Sequence, residues 1–174
     1  IESIVDLGNQ TNQGPLWQLG NNQFDHLVIA TPAWDAAHLL ETFNAGWAAT
    51  ANQLRHEAIA TVYVQGPVDF KLPRPMLALR TAQGSPAQFA FDRGQIYSEA
   101  QTPGLLAFVI SANKQSKEDV TRQVMKQLSD LLPQLAPATL RIEAFSVIQT
   151  VVEKRATFAC TPRLKRPSAK PYPS

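Results

Sequence analysis

Three charged side chains in succession, Glu153-Lys154-Arg155, interrupt a run whose Val151, Val152 and Phe158 have the bulk that strands favour. On a regular strand alternate side chains share a face, so Glu153 and Arg155 would point one way and Lys154 the other, beside Val152 and Ala156. A solvated edge strand produces the same pattern. An arginine so placed can fork to a carboxylate or a phosphate, which a lysine cannot do. Asp92-Arg93 is the second charged pair with chemical interest, because it follows Phe89 and Phe91 directly. On its own it reads as a local ion pair at a strand end. Phe89 and Phe91, two residues apart, share a strand face, and Tyr63 or Phe108 could complete an aromatic wall with them. The same rings would serve equally well as core.

A third stretch, Ala30-Thr31-Pro32, ends the apolar run His26–Ala30. Thr31 can cap a following helix and Pro32 can take its first position, where a missing N–H costs nothing. A strand delivered to a helix N-terminus leaves backbone N–H groups free to meet an anionic or nucleotide edge. An ordinary helix start needs no such ligand.

Other chemistries lack their residues. His26, His38 and His56 have no metal-ligand spacing, and with Cys160 as the only cysteine a zinc site is not expected. Cys160 has no nearby histidine to activate it and reads as a small structural thiol. Neither the Gly-x-Ser-x-Gly elbow nor the Gly-x-x-x-x-Gly-Lys phosphate loop occurs.

The elements that must position these residues alternate between strand and helix. A short strand is predicted over Ile1–Leu7, a turn over 9–15, a resumed strand at 16–19 and a buried strand over His26–Ala30. Trp34, Ala37 and Leu40 give a helix its apolar face, Asn44-Ala45-Gly46 breaks it, and a second helix is predicted over Trp47–Glu57. Ile59–Val64 alternates with period two, and further strands are predicted at Met76–Arg80, Gln88–Asp92 and Leu105–Ser111. The last is apolar almost throughout and should be central in its sheet. Ser116 with Asp119 resembles a capping box, followed by Val120, Val124, Leu128 and Leu131 at helical spacing until Pro133. From Leu140 to Phe158 the helical and β signals compete, with a strand favoured over the second half.

A chain of 174 residues, 44% hydrophobic and 17% charged, can bury a real core. Its net charge of +2 offers no field suited to nucleic acid. Arg163, Lys165, Arg166 and Lys170 do gather in a proline-rich end that reads as a solvated connector or a lipid-headgroup contact. A single cysteine suits a reducing compartment, and no apolar run approaches the length of a membrane span, so the cytoplasm is expected.

The segments Phe24–Pro32, Ile59–Val64, Phe91–Gln95 and Val151–Pro162 together resemble the bacterial squalene-associated FAD-dependent oxidoreductases, the hydroxysqualene dehydroxylases, within the phytoene-desaturase and amine-oxidase superfamily. The resemblance runs from about Phe24 to Pro162 and is most specific over Glu153–Pro162. It implies an α+β region: a mixed or antiparallel sheet with covering helices, as in the substrate domain of a flavin amine-oxidase-like fold, plus flanking pieces of the FAD-domain sheet. On that reading residues 1–32 belong to the FAD-binding domain, 33–150 to the substrate domain, 151–165 form a return strand and 166–174 a basic tail. The resemblance implies cofactor-side roles for Ala30, Thr31, Pro32, Arg155, Thr157 and Phe158. It implies a pocket for an isoprenoid lipid formed by Tyr63, Phe89, Phe91, Asp92, Arg93 and Phe108. The expected activity is reductive removal of the hydroxyl of hydroxysqualene, giving squalene, with peripheral contact to the inner membrane. Carotenoid desaturation, amine oxidation and a non-catalytic lipid-binding or interaction module are the alternatives. The glycine-rich dinucleotide fingerprint and the Gly-Asp flavin segment of the superfamily do not occur here, so these residues are expected to be an internal piece that folds without retaining FAD. One departure is that glycine usually follows Cys-Thr-Pro in the family, whereas Arg163 stands here.

Overall fold

The computed structural model describes residues 4–7, 17–96, 102–136 and 139–169. Its contacts divide the chain into two compact units, Ile1–Arg55 with Ala159–Ser174 and His56–Phe158. The division falls at 55/56 and 158/159, where 32/33 and 150/151 were expected. The two helices that follow Pro32 belong with the N-terminal strands, and the last strand continues unbroken to Phe158.

In the first unit β1 (Val5–Asp6), β2 (Trp17–Leu19) and β3 (Asn22–Phe24) form an antiparallel sheet in that order. Gly20, at φ +58, occupies the left-handed region that the tight β2–β3 hairpin demands. The strand expected from residue 1 is described only from residue 4, and the turn expected at 9–15 lies outside the described residues. His26–Ala30 corrects a prediction. It is not a buried strand: Leu27 and Ile29 are half-buried, Val28 is 85% exposed, and no strand pairs with it among the described residues. Apolar side chains favour burial, but a ladder also needs a neighbour for its N–H and C=O groups.

α1 spans Ala33–Leu40 and buries Ala36, Ala37 and Leu40. Pro32 is its N-cap rather than its first residue, and the Thr31 hydroxyl donates to Pro32 O at 3.4 Å instead of capping. α2 spans Ala45–Asn52, with Asn44 Oδ1 accepting from Trp47 N–H at 2.9 Å. It is shorter than the predicted Trp47–Glu57 because His56 and Glu57 pair with Phe158 and Thr157 in a sheet, and strand pairing overrides local helical preference. Ala37, Ala48 and Ala51 form a small core that lets the two helices approach closely, with Trp47 against it.

The second unit is a five-stranded antiparallel sheet with a long helix on one face. Its strands are β4 (His56–Gln65), β5 (Met76–Ala78), β6 (Phe89–Asp92), β7 (Leu105–Ser111) and β8 (Ser146–Phe158), ordered β5-β6-β7-β4-β8. β7 takes the central position its continuous apolarity predicts. A single helical turn, α3 (Arg93–Ile96), follows β6. α4 (Lys117–Leu135) starts where Ser116 Oγ accepts from Asp119 N–H at 3.0 Å. It runs two residues beyond Pro133, which costs one intrahelical hydrogen bond in the final turn. A 3-10 turn (Ile142–Ala144) and then β8 resolve the ambiguity after Leu140 in favour of strand.

Ala60, Val62, Val64, Ala90, Leu106, Phe108 and Ile110 face Val120, Val124, Leu128 and Leu132 of α4. Each of the valines, leucines, isoleucine and phenylalanine among them, fully buried, contributes about 1.5–3 kcal/mol. The alternate residues of the same strands therefore form the other face of the sheet.

Candidate functional site

That second face is built by register. One rung crosses all five strands as Met76, Phe91, Ala107, Tyr63 and Gln149. The next crosses as Ala78, Phe89, Val109, Thr61 and Val151. Neighbouring strands are about 4.8 Å apart, so an uncharged surface runs some 19 Å across the sheet, apolar over β5, β6 and β7 and carrying Thr61, Tyr63 and Gln149 beyond them. Phe89 and Phe91 lie with ring centroids 6.4 Å apart and planes inclined at 42°. Phe89 is 37% exposed, Met76 and Val151 are also exposed, and Tyr63, Phe91 and Val109 are half-buried. These two rungs carry no carboxylate, amine or guanidinium. These rungs can hold a neutral hydrocarbon body by dispersion and desolvation, and the nearest charge of regular register on that face is Glu153, one rung further on opposite Ile59.

The expected aromatic wall is therefore three rings. Tyr63, Phe89 and Phe91 come together on one face, and Phe108 does not join them. Phe108 pairs in register with Ala90 and Val62, is 1% exposed and packs under α4. Strand parity decides this, since Phe108 sits one residue from Ala107.

Asp92 also lies off the open face. It is 1% exposed, and its carboxylate accepts from Leu72 N–H at 2.9 Å, Gln95 N–H at 3.2 Å and Gln95 Nε2 at 2.6 Å. Gln95 Nε2 donates in addition to Leu72 O at 2.8 Å. The carboxylate thus fastens Leu72 to the start of α3. Arg93 is half-buried at the first position of α3.

Glu153, Lys154 and Arg155 occupy an irregularity. Glu57 pairs with Thr157 and Ile59 with Glu153, so three residues of β8 stand against Ala58 alone. A bulge breaks period-two alternation. The opposite faces expected for Lys154 and Arg155 are consequently not imposed by the strand, and both side chains are exposed. Arg155 N–H donates to Glu153 Oε1 at 3.2 Å. Thr157 is exposed and Phe158 half-buried at the strand's end. A second register shift, between Tyr63 and Val64, leaves Ile148 outside the ladder and exposed.

Ala30, Thr31 and Pro32 belong to the first unit, and all three are exposed. Thr31 borders an apolar cavity of about 600 Å³ whose walls include Trp17, Leu27, Ile29, Leu40 and Trp47. Pro167–Ala169 close one side of it, where Trp47 Nε1 donates to Ser168 O at 2.8 Å. No side chain caps α1, so its N-terminal N–H groups fit the polar edge of a cofactor, although Asp35 in the first turn opposes an anion there. With no glycine-rich phosphate turn in the sequence, these residues fit a contact and not a whole flavin site. Arg163 takes φ +60, the left-handed conformation where the family resemblance leads one to expect glycine.

Met76, Gln149 and Val151 were missed as members of the open face. β5 is only three residues long, too short for alternation to be read, and the two β8 residues join through a register that only pairing reveals. Among the described residues no group of three or more His, Cys, Asp or Glu stands together as a metal site, and no helix is long and apolar enough to cross a membrane.

The family model for flavin containing amine oxidoreductases matches residues 6–166. The chain belongs to that family. Its members are flavin-containing oxidoreductases, and the α+β architecture with antiparallel sheets suits the assignment. No curated protein matches the chain. A solved structure of a "Putative protoporphyrinogen oxidase" from Exiguobacterium sp. 255-15 is similar in fold, with a TM-score of 0.55 at 12% identity. The similarity covers 91% of this chain and 35% of that one. The chain thus spans about a third of the length of that protein.

Proposed function

We propose that the chain is the substrate-domain portion, with flanking FAD-domain pieces, of an FAD-dependent oxidoreductase that reduces hydroxysqualene to squalene. The observation that carries this reading is the open sheet face, on which Tyr63, Phe89 and Phe91 stand in two rungs free of any charged side chain. An amine substrate would call for a carboxylate or an aromatic cage around a cation, whereas a neutral isoprenoid needs extended apolar contact. A reduced flavin, when bound, would supply the two electrons and the hydrogen by which the carbon–oxygen bond is exchanged for a carbon–hydrogen bond, the hydroxyl leaving as water and the flavin being oxidised. The residues of this chain orient the hydrocarbon and keep water from it. Ala30, Thr31, Pro32, Arg155, Thr157 and Phe158 are the cofactor-side candidates, and the basic residues Arg163, Lys165, Arg166 and Lys170 are candidates for a peripheral membrane contact.

The test is an anaerobic assay of the full-length flavoenzyme with hydroxysqualene and chemically reduced flavin, the product identified by mass spectrometry. Squalene is the expected product. Turnover of phytoene or of a primary amine, with hydroxysqualene untouched, rejects the reading.

A further inference from the structure

Along the first rung the chemistry changes from one side of the sheet to the other. Met76 and Phe91 are wholly apolar, Ala107 is small, and Tyr63 and Gln149, directly opposite each other on β4 and β8, end the rung in a phenol and an amide. Cross-strand partners have Cβ atoms about 5 Å apart, within reach of one ligand group. Among the described residues neither the Tyr63 hydroxyl nor the Gln149 amide has a hydrogen-bond partner, whereas Gln65 on the same face of β4 is spent on Gly66 O and Pro103 O. Both are neutral, and both can donate and accept.

We infer that Tyr63 and Gln149 receive the uncharged polar group of the substrate, a hydroxyl, while its hydrocarbon body lies over Phe91 and Met76. The inference rests on the functional reading above and names the residues that would give it specificity. The occupant follows from charge complementarity. A neutral pair able to donate and accept satisfies an alcohol on both counts, and no counter-ion stands on either rung to meet an ammonium or a phosphate, Glu153 lying two rungs from Gln149 along β8. The two residues are positioning residues, and no proton transfer is assigned to them.

The test is titration of the full chain with farnesol, farnesene and farnesylamine, followed by the backbone amide signals of β4, β7 and β8. Farnesol is expected to bind about three- to tenfold more tightly than farnesene, the worth of one or two net hydrogen bonds. Tyr63→Phe and Gln149→Leu should each move that ratio toward one, while Phe91→Ala weakens both ligands alike. Thermal unfolding of each variant checks that its fold is retained. A ratio unchanged in both polar variants overturns the inference and leaves the apolar face standing. Preference for farnesylamine overturns it as well. If none of the three ligands perturbs the face, the substrate surface itself is refuted, an outcome distinct from loss of the alcohol preference alone.

Discussion

Gln127, buried in α4, grips Ala87 by both of its backbone groups: Ala87 N–H donates to Oε1 at 2.9 Å, and Nε2 donates back to Ala87 O at 3.1 Å. Nε2 also reaches Arg80 O at 3.5 Å. The segment between β5 and β6, which delivers Phe89 to the open face, is thereby tied to the helix on the other side of the sheet. A polar residue on the apolar stripe of α4 looks like a fault in the helical pattern until its partners are seen.

Replacing Gln127 by Leu keeps the volume and strands two buried backbone groups, so the second unit should lose about 2–4 kcal/mol of stability. Gln127→Glu should cost nearly as much, because a carboxylate can accept from Ala87 N–H but meets Ala87 O as a second acceptor. Urea denaturation measures both, and losses under about 0.5 kcal/mol, the range of neutral surface substitutions, reject the role.

Gly104 and Gly84 separate backbone strain from crowding. Both have positive φ, +73 and +77, but a Cβ on Gly84 meets nothing while one on Gly104 would strike the carbonyl oxygens of Pro67 and Gly66. Gly66 N–H donates to Gly104 O at 2.9 Å, which holds the two segments together at the β4–β7 end. Gly84→Ala should cost about 1–2 kcal/mol from conformation alone. Gly104→Ala should exceed it by at least about 1–3 kcal/mol, as overpacking adds to the strain. Equal losses in denaturant melts would mean the backbone yields at Gly104.

What could be read from sequence followed the range of the interaction. The period-two run at Ile59–Val64, the apolar Leu105–Ser111 and the Ser116 cap are local signals, and each element formed where it was read. His26–Ala30 has the composition of a strand, but a strand is also defined by its partner, and no described residue supplies one. The alternation expected at Glu153–Arg155 is not imposed there, because a bulge depends on the register of two strands far apart in sequence. Tyr63, Phe89 and Phe91 were legible as ring-bearing strand positions, yet the face that each ring takes relative to Phe108 is fixed only by pairing.

Phe108 and Phe89 give the faces a direct test. Phe108→Ala opens a cavity under α4 and should cost about 3–5 kcal/mol. Phe89→Ala removes a ring that keeps 37% of its surface exposed and leaves no enclosed cavity, so it should cost less, about 1–2 kcal/mol. It should instead weaken farnesene binding. Comparable stability losses for the two variants would put both rings in the core and remove the open face.

Asp92 offers the complementary case, a charged residue whose role is structural. Its two oxygens divide three donors: Oδ2 takes Leu72 N–H and Gln95 Nε2, and Oδ1 takes Gln95 N–H. An asparagine retains one acceptor oxygen and must turn its NH2 toward donors on the other side, so Asp92→Asn should destabilise the second unit by about 1–3 kcal/mol. Because the carboxylate lies on the α4 side of the strand that carries Phe89 and Phe91, the same variant should leave farnesol affinity within about twofold, as expected of sites without shared partners. Denaturant melts and ligand titration on one sample read both quantities. Lost affinity at unchanged stability would return Asp92 to the pocket.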